Sequence, residues 1–375
     1  SLLFLIWFFM VGINIIPQYF VGDDLHLLRK YSTEEIISSW VGNWDPDNVE
    51  TVSYRPLAIM FYNIQTAIFD ENFYMHNIFS ISLIFILLNS VIIFLIKLDF
   101  SKLHILIFIP LFIFSKTFTV LPAWKILSVL SFCYILFFLT SIYFLKWLKK
   151  KKTKYLIYIA IFSFMSIFAR EEMYHLPVFL SLIFLYKNNL SDLKSFSYMK
   201  PIFITTFIVL LHYTLRYYFV SDAPQPEISI MSVYNFLKAG LATGLPGGIV
   251  TYENHEKLLQ SLWLVGLFIA SLFFIKDNLY SKNKKFLLLT FIIICLLTTP
   301  MSVKIRDFGI VLPTIFTTIF ISLIISCLLG KKFNLELLFA SKKLQSSVVI
   351  LVLVSGIVGG VLRSQEHIKL WSDNS

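Results

Sequence analysis

Two adjacent carboxylates, Asp23 and Asp24, follow the first hydrophobic segment, in the stretch IIPQYFVGDDLHLLRKY (residues 15–31). Ionised side chains are expensive near a bilayer and are kept there chiefly for function. A carboxylate so placed can take a proton from an attacking hydroxyl, while its neighbour orients either the base or the nucleophile. Further ionisable residues recur at the ends of later apolar segments: His26, Arg55, His76, Lys125, Arg170, Glu171, Glu172, His175, Arg216, Lys304, Arg306 and Asp307. Guanidinium and ammonium groups hold phosphate, and they stabilise the charge that grows on a departing phosphate. Acids among several cations therefore fit group transfer from a phosphate-bearing substrate. Each residue also has a plainer reading. The acidic pair can be a solvated loop or a cap, and Arg55 before Pro56 can snorkel. His76 can be a boundary residue. Arg170 and Arg306 can each belong to a local ion pair.

These residues must be positioned by membrane helices. The chain has 375 residues, 57% hydrophobic and 14% charged, with a mean hydropathy of +0.78, against about 25% charged residues in soluble domains. Apolar segments of about 20 residues recur throughout, which predicts an all-α, polytopic membrane protein forming a single domain. Eleven spans are expected, near residues 1–17, 74–96, 103–121, 124–146, 155–169, 173–187, 201–219, 259–275, 286–302, 308–329 and 346–362. The pair 155–169 and 173–187 is short for a bilayer core, as helices ending in a protein-lined cavity would be. Residues 1–16 lack a small-residue cleavage site and read as a span, not a signal peptide. The net charge of +10 lies in short clusters between spans, which argues against nucleic acid as a partner. Cys133, Cys295 and Cys327 fall inside expected spans and offer neither a disulfide framework nor metal-ligand spacing.

Lysine-rich clusters at 147–154, 282–285, 330–332 and 341–343 mark one side as cytoplasmic if the amino terminus is inside. On that topology 19 of 32 Lys and Arg lie inside and 18 of 22 acids outside, so Asp23 and Asp24 face outward. The long outer loops are then 18–73 and 220–258. The first holds two expected amphipathic helices. One starts at a capping-type Ser32-Thr33-Glu34-Glu35 and runs to about Trp40. The other, residues 56–69, begins with Pro56 and gathers Leu57, Met60, Phe61, Ile64 and Ile68 on one face, as a helix lying on the membrane surface would. The second loop is rich in Gly and Pro and reads as a lid.

Four segments together resemble a known pattern: FVGDD (20–24); YRPL (54–57) with FYMHNIFS (73–80); FAREEMYHLP (168–177); and RDFGIVLP (306–313). Their order and spacing resemble the GT-C membrane glycosyltransferases, in particular the protein O-mannosyltransferase-like group and the tetratricopeptide-repeat-containing transmembrane mannosyltransferases. The likeness covers roughly residues 15–320. Arg170 stands where those relatives usually carry Lys, which replaces a point charge by a planar fork. Related proteins often continue into a soluble outer domain, whereas this sequence stops at HIKLWSDNS; either such a domain is absent or the chain is a fragment.

The resemblance implies a polyprenyl-phosphate monosaccharide as donor and a protein, lipid or glycan acceptor on the outer face of a cell membrane. It implies no metal cofactor, although the acidic pair could hold a divalent cation. Asp23 is the favoured base with Asp24 as orienter, and the reverse assignment stays open. Arg55, Arg170, Arg216 and Arg306 are expected to hold the lipid phosphate, with His76, Lys125, Glu171 and His175 around the phosphate and sugar. The abundance of Ile, Lys, Asn and Phe points to an AT-rich prokaryotic genome. The competing reading is a transporter or flippase of a lipid-linked or anionic substrate. Charge at the span ends and the lack of a repeated half weigh against it.

Overall fold

The computed structural model describes residues 2–20, 22–42, 53–188, 196–220 and six residues between 315 and 322. Every regular element among the described residues is helical. In chain order they are α1 (Leu2–Met10), α2 (Asp23–Leu27), α3 (Thr33–Val41), α4 (Pro56–Phe69), α5 (Phe73–Lys97), α6 (Lys102–Ile113), α7 (Lys116–Ala123), α8 (Ser128–Lys150), α9 (Thr153–Ala169), α10 (Leu176–Lys187) and α11 (Phe196–Phe219). Short 3-10 helices at Gly12–Asn14, Lys125–Leu127 and Glu171–His175 join some of them.

Three of these helical runs are long and apolar enough to cross a bilayer: Phe73–Lys97, Lys125–Lys150 and Tyr198–Phe219. The pair α6 and α7, bent by 52°, makes a fourth if the two form one broken span. The chain is thus all-α in its described residues and has the helices of a membrane protein. The expected spans 259–275, 286–302, 308–329 and 346–362 lie outside the described residues, apart from the six just named. Arg306 and the 220–258 loop beyond Val220 also lie outside them.

Three expected spans differ from the structure; of residues 173–187, the first three lie in the 3-10 turn Glu171–His175 and only the twelve of Leu176–Lys187 form a helix. Residues 1–17 do not form one continuous helix. The nine residues of α1 rise only about 14 Å at about 1.5 Å each. The chain then passes into the turn at Gly12, where an added Cβ would meet Phe8 at 3.0 Å and Trp7 at 3.1 Å, and Pro17 follows. Residues 103–121 are broken at Ser115. Its Oγ donates to the Phe112 carbonyl (2.7 Å) and accepts from the Phe118 amide (3.3 Å), closing one helix and opening the next.

The described residues divide into two compact units: 2–14 and 100–120 with the six between 315 and 322, and the remainder between 15 and 99 and between 121 and 220. In the first unit Trp7 meets Phe118 edge-on at 5.0 Å, and Phe118 meets Phe112 at 5.2 Å. In the second unit α8 packs against α5 and α9, and α11 packs against α9 and α10. Phe94, Phe137, Phe138 and Phe179 interlock in its interior, with ring centroids 4.8–5.7 Å apart. Their burial supplies the non-directional part of the stability.

The two helices expected between residues 18 and 73 form as their sequence predicts. Ser32 and Glu35 make a complete capping box at the start of α3. Pro56 occupies the first turn of α4. Ile64 and Ile68 on α4 are exposed, and Leu57, Met60 and Phe61 are half-buried. The face of α4 turned into the protein carries Ala58, Ile59, Tyr62, Gln65 and Thr66. The apolar stripe thus points outward, and the inward face holds three polar side chains. The short helices α9 and α10 meet at the 3-10 turn Glu171–His175, which holds the second cluster of charges.

Candidate active site

The acidic pair opens α2, directly after Gly22. That residue has φ 55° and ψ −119°, a region that side-chain-bearing L-residues avoid. The turn leaves Asp23 exposed and Asp24 fully buried. The Oδ1 atom of Asp24 accepts the Ile126 amide at 2.9 Å, and Oδ2 lies 3.7 Å from the Lys125 ammonium. Lys125 also donates to the Tyr19 carbonyl at 2.6 Å and sits 5.7 Å from the centre of the Phe20 ring. A buried carboxylate is tolerable when it is paired and hydrogen-bonded, and both conditions hold. Asp24 therefore ties α2 to the turn that precedes α8, while Asp23, beside it, is exposed.

His76 sits in a hydrogen-bonded relay. Ser128 Oγ donates to Gln65 Oε1 (2.8 Å), Gln65 Nε2 reaches His76 Nδ1 (2.8 Å), and His76 Nε2 reaches the Asp70 carbonyl (2.9 Å). The direction of donation makes the imidazole neutral, with its proton on Nε2. Both ring nitrogens are engaged inside the fold, so in this arrangement His76 fixes α4 against α5 and offers no nitrogen to a ligand.

A second cluster forms where α9 ends. Glu171 bridges two neighbours: Oε2 takes Arg55 Nε at 2.6 Å and Oε1 takes the Tyr54 amide at 2.6 Å. Arg170 grips Glu172 with two prongs, through Nε at 3.0 Å and through Nη2. Burial disfavours the charged form of Glu172, but the Arg170 guanidinium, helped by Arg55, prevails and holds the carboxyl down at about 2. His212 donates from Nε2 to the Tyr54 carbonyl (2.9 Å) and accepts the Tyr174 hydroxyl at Nδ1 (2.6 Å). Arg216 is half-buried on the last turns of α11, and its charge acts on Tyr174 and His212 together with that of Arg55. His175 is half-buried at the end of the turn. Arg55 with Glu171 and Arg170 with Glu172 thus form two ion pairs at this turn, and Arg216 acts on the neighbouring Tyr174 and His212.

Tyr62 joins the two clusters. Its hydroxyl donates to the Ile126 carbonyl at 3.0 Å, the same residue whose amide serves Asp24. It also lies in the fields of Arg170 and Arg55. Inspection of the sequence passed over Tyr62, Gln65, Ser128, Tyr174 and His212. The available signal was polarity out of place, such as Gln65 among apolar neighbours in α4 and His212 inside the apolar run of α11. Among the described residues, no three His, Cys, Asp or Glu side chains gather as metal ligands do.

Comparison of the chain with models of protein families, with curated proteins and with solved structures finds no match in any of the three.

Proposed function

We propose that the protein is an integral-membrane glycosyltransferase. It moves a monosaccharide from a polyprenyl-phosphate donor to a hydroxyl on the outer face of a cell membrane. The observation that carries this reading is the asymmetry of the acidic pair: Asp24 is buried against Lys125 and the Ile126 amide, and Asp23 is exposed beside it. One carboxylate anchors and its neighbour is presented, and a separate turn carries arginines of the kind that hold a lipid phosphate. The resemblance of FVGDD, YRPL and FAREEMYHLP to the GT-C mannosyltransferases supplies the class of donor.

In the proposed step Asp23 accepts the proton of the acceptor hydroxyl. The acceptor oxygen bonds to the anomeric carbon, and the bond from that carbon to the phosphate oxygen breaks with inversion. The electron pair leaves on the polyprenyl phosphate. Cations stabilise that growing charge in the transition state; Arg55, Arg170 and Arg216, with Arg306, are proposed for this. Glu171 keeps Arg55 aimed, and Asp24 with Lys125 keeps α2 in place. The general-base reaction balances without a metal ion.

The test is transfer from a radiolabelled polyprenyl-phosphate mannose by the purified protein in lipid. Labelled product, or donor turnover to free polyprenyl phosphate, is expected. Absence of turnover with any polyprenyl-phosphate hexose, in protein that retains its helical circular dichroism, overturns the reading.

A further inference from the structure

A separate set of groups lies at the other end of the α8 run from Lys125, in the stretch WLKKKKTK (residues 147–154). Lys151 follows α8 with φ 49° and ψ 29°, the left-handed position at which helices ordinarily carry Gly. Its amide bonds back to the Trp147 carbonyl at 2.9 Å. Its ammonium lies 3.0 Å from the centre of the Tyr198 ring and 5.5 Å from that of Trp147. Trp147 is 4% exposed. The Lys151 ammonium and the Trp147 indole nitrogen are both buried, and neither has a hydrogen-bond partner among the described residues.

Both groups can only donate. A buried donor without an acceptor is costly, and a cationic one more so. The missing complement is an acceptor that cannot donate and that carries negative charge. Lys151 lies one residue past the end of a bilayer-length helical run, at the level where lipid headgroups begin. Exposed Lys149, Lys150, Lys152 and Lys154 surround it, a density of cations that attracts anionic headgroups. A Lys held where Gly is the relaxed choice indicates that its side chain is wanted there.

We propose that Lys151 and Trp147 form a seat for the phosphate of an anionic membrane phospholipid, with Tyr198 as its movable cover. Oxygens of one phosphate would accept from the ammonium and from the indole N–H. The shared chemistry is a phosphate anion; its position at the end of a span favours a lipid over free phosphate as the source.

The test is native mass spectrometry of the purified protein with phosphatidylglycerol or phosphatidylcholine, each with and without millimolar inorganic phosphate. Wild type should retain phosphatidylglycerol in preference. Lys151→Gly and Trp147→Phe should each reduce that retention roughly fivefold or more, the size expected for one lost basic contact at a headgroup. Lys151→Gly relieves the backbone, so its thermal midpoint should hold or rise while lipid is lost. A Lys151 that only caps the helix would not give that combination. Should Lys151→Gly misfold, Lys151→Met serves in its place. Unchanged retention in both variants overturns the proposal. So does an equal loss in the Lys149→Gln/Lys150→Gln pair, which would mean diffuse attraction, not a seat. Displacement of the lipid by inorganic phosphate overturns the lipid as occupant.

Discussion

At the scale of the residue, Asp23 and Asp24 are chemically identical and positioned oppositely. Asp24 is held inside the protein, where the Lys125 ammonium and the Ile126 amide meet it. Removing Lys125 would strand that carboxylate, and stranding one member of a buried pair costs about 3–5 kcal/mol. Lys125→Met should therefore lower the thermal midpoint markedly, and an added Asp24→Asn should recover part of the loss. A midpoint unmoved by Lys125→Met would show that the pair contributes no stability. Glu172 provides a pH test. Its carboxyl is held at about 2, below the usual 4.5, so its contribution is complete above 4.5 and fades as pH falls towards 2. The shift corresponds to a stabilisation on the order of 3 kcal/mol. Acid unfolding curves of wild type and Glu172→Gln should converge through that window; parallel curves would refute the assignment. The acidic pair stood out in the sequence because charge beside an apolar run is conspicuous. Its division into a buried and an exposed member did not, because that depends on Ile126, about a hundred residues further along.

At the scale of the element, Gly22 and α4 do the aiming. Gly22 has the backbone that starts α2 with Asp23 outward. Nothing lies within 4 Å of an added Cβ, so Gly22→Ala tests conformation without a clash. It should cost about 1–3 kcal/mol of local strain and reduce transfer more than it reduces thermal stability. Unaltered transfer would detach the turn from the chemistry. Helix α3 offers a control: Ser32→Ala breaks its capping box and should cost about 1 kcal/mol, leaving transfer largely intact. Both loop helices were legible, since Ser32 with Glu35, and Pro56, mark helix starts by local hydrogen-bonding and backbone rules. The orientation of α4 was legible only by halves. Its apolar stripe was evident, but the work of its inner face falls to Tyr62 and Gln65, whose partners Ile126 and Ser128 are distant in sequence. The break at Ser115 escaped a hydropathy reading for a related reason. Apolar residues on both sides give one continuous hydrophobic peak, and only the hydroxyl marks the boundary.

At the scale of the whole molecule, composition identified a helical membrane protein. Phe73–Lys97, Lys125–Lys150 and Tyr198–Phe219 have the length and hydropathy that such a chain requires. The sidedness expected from lysine placement has its own test. A cysteine at exposed Glu34 should react with an impermeant reagent in intact cells, and one at Lys149 only after permeabilisation. The opposite pattern would put the acidic pair on the inner face and remove the proposed acceptor side. The central claim is that Asp23 is the base. The most direct measurement is the rate of transfer from polyprenyl-phosphate mannose in Asp23→Asn, made beside Asp23→Glu and with folding verified. Loss of a general base costs about 10²–10⁴-fold. The account predicts a fall of that size for Asp23→Asn, a thermal midpoint close to wild type, and partial recovery in Asp23→Glu. Transfer at the wild-type rate by folded Asp23→Asn would contradict it.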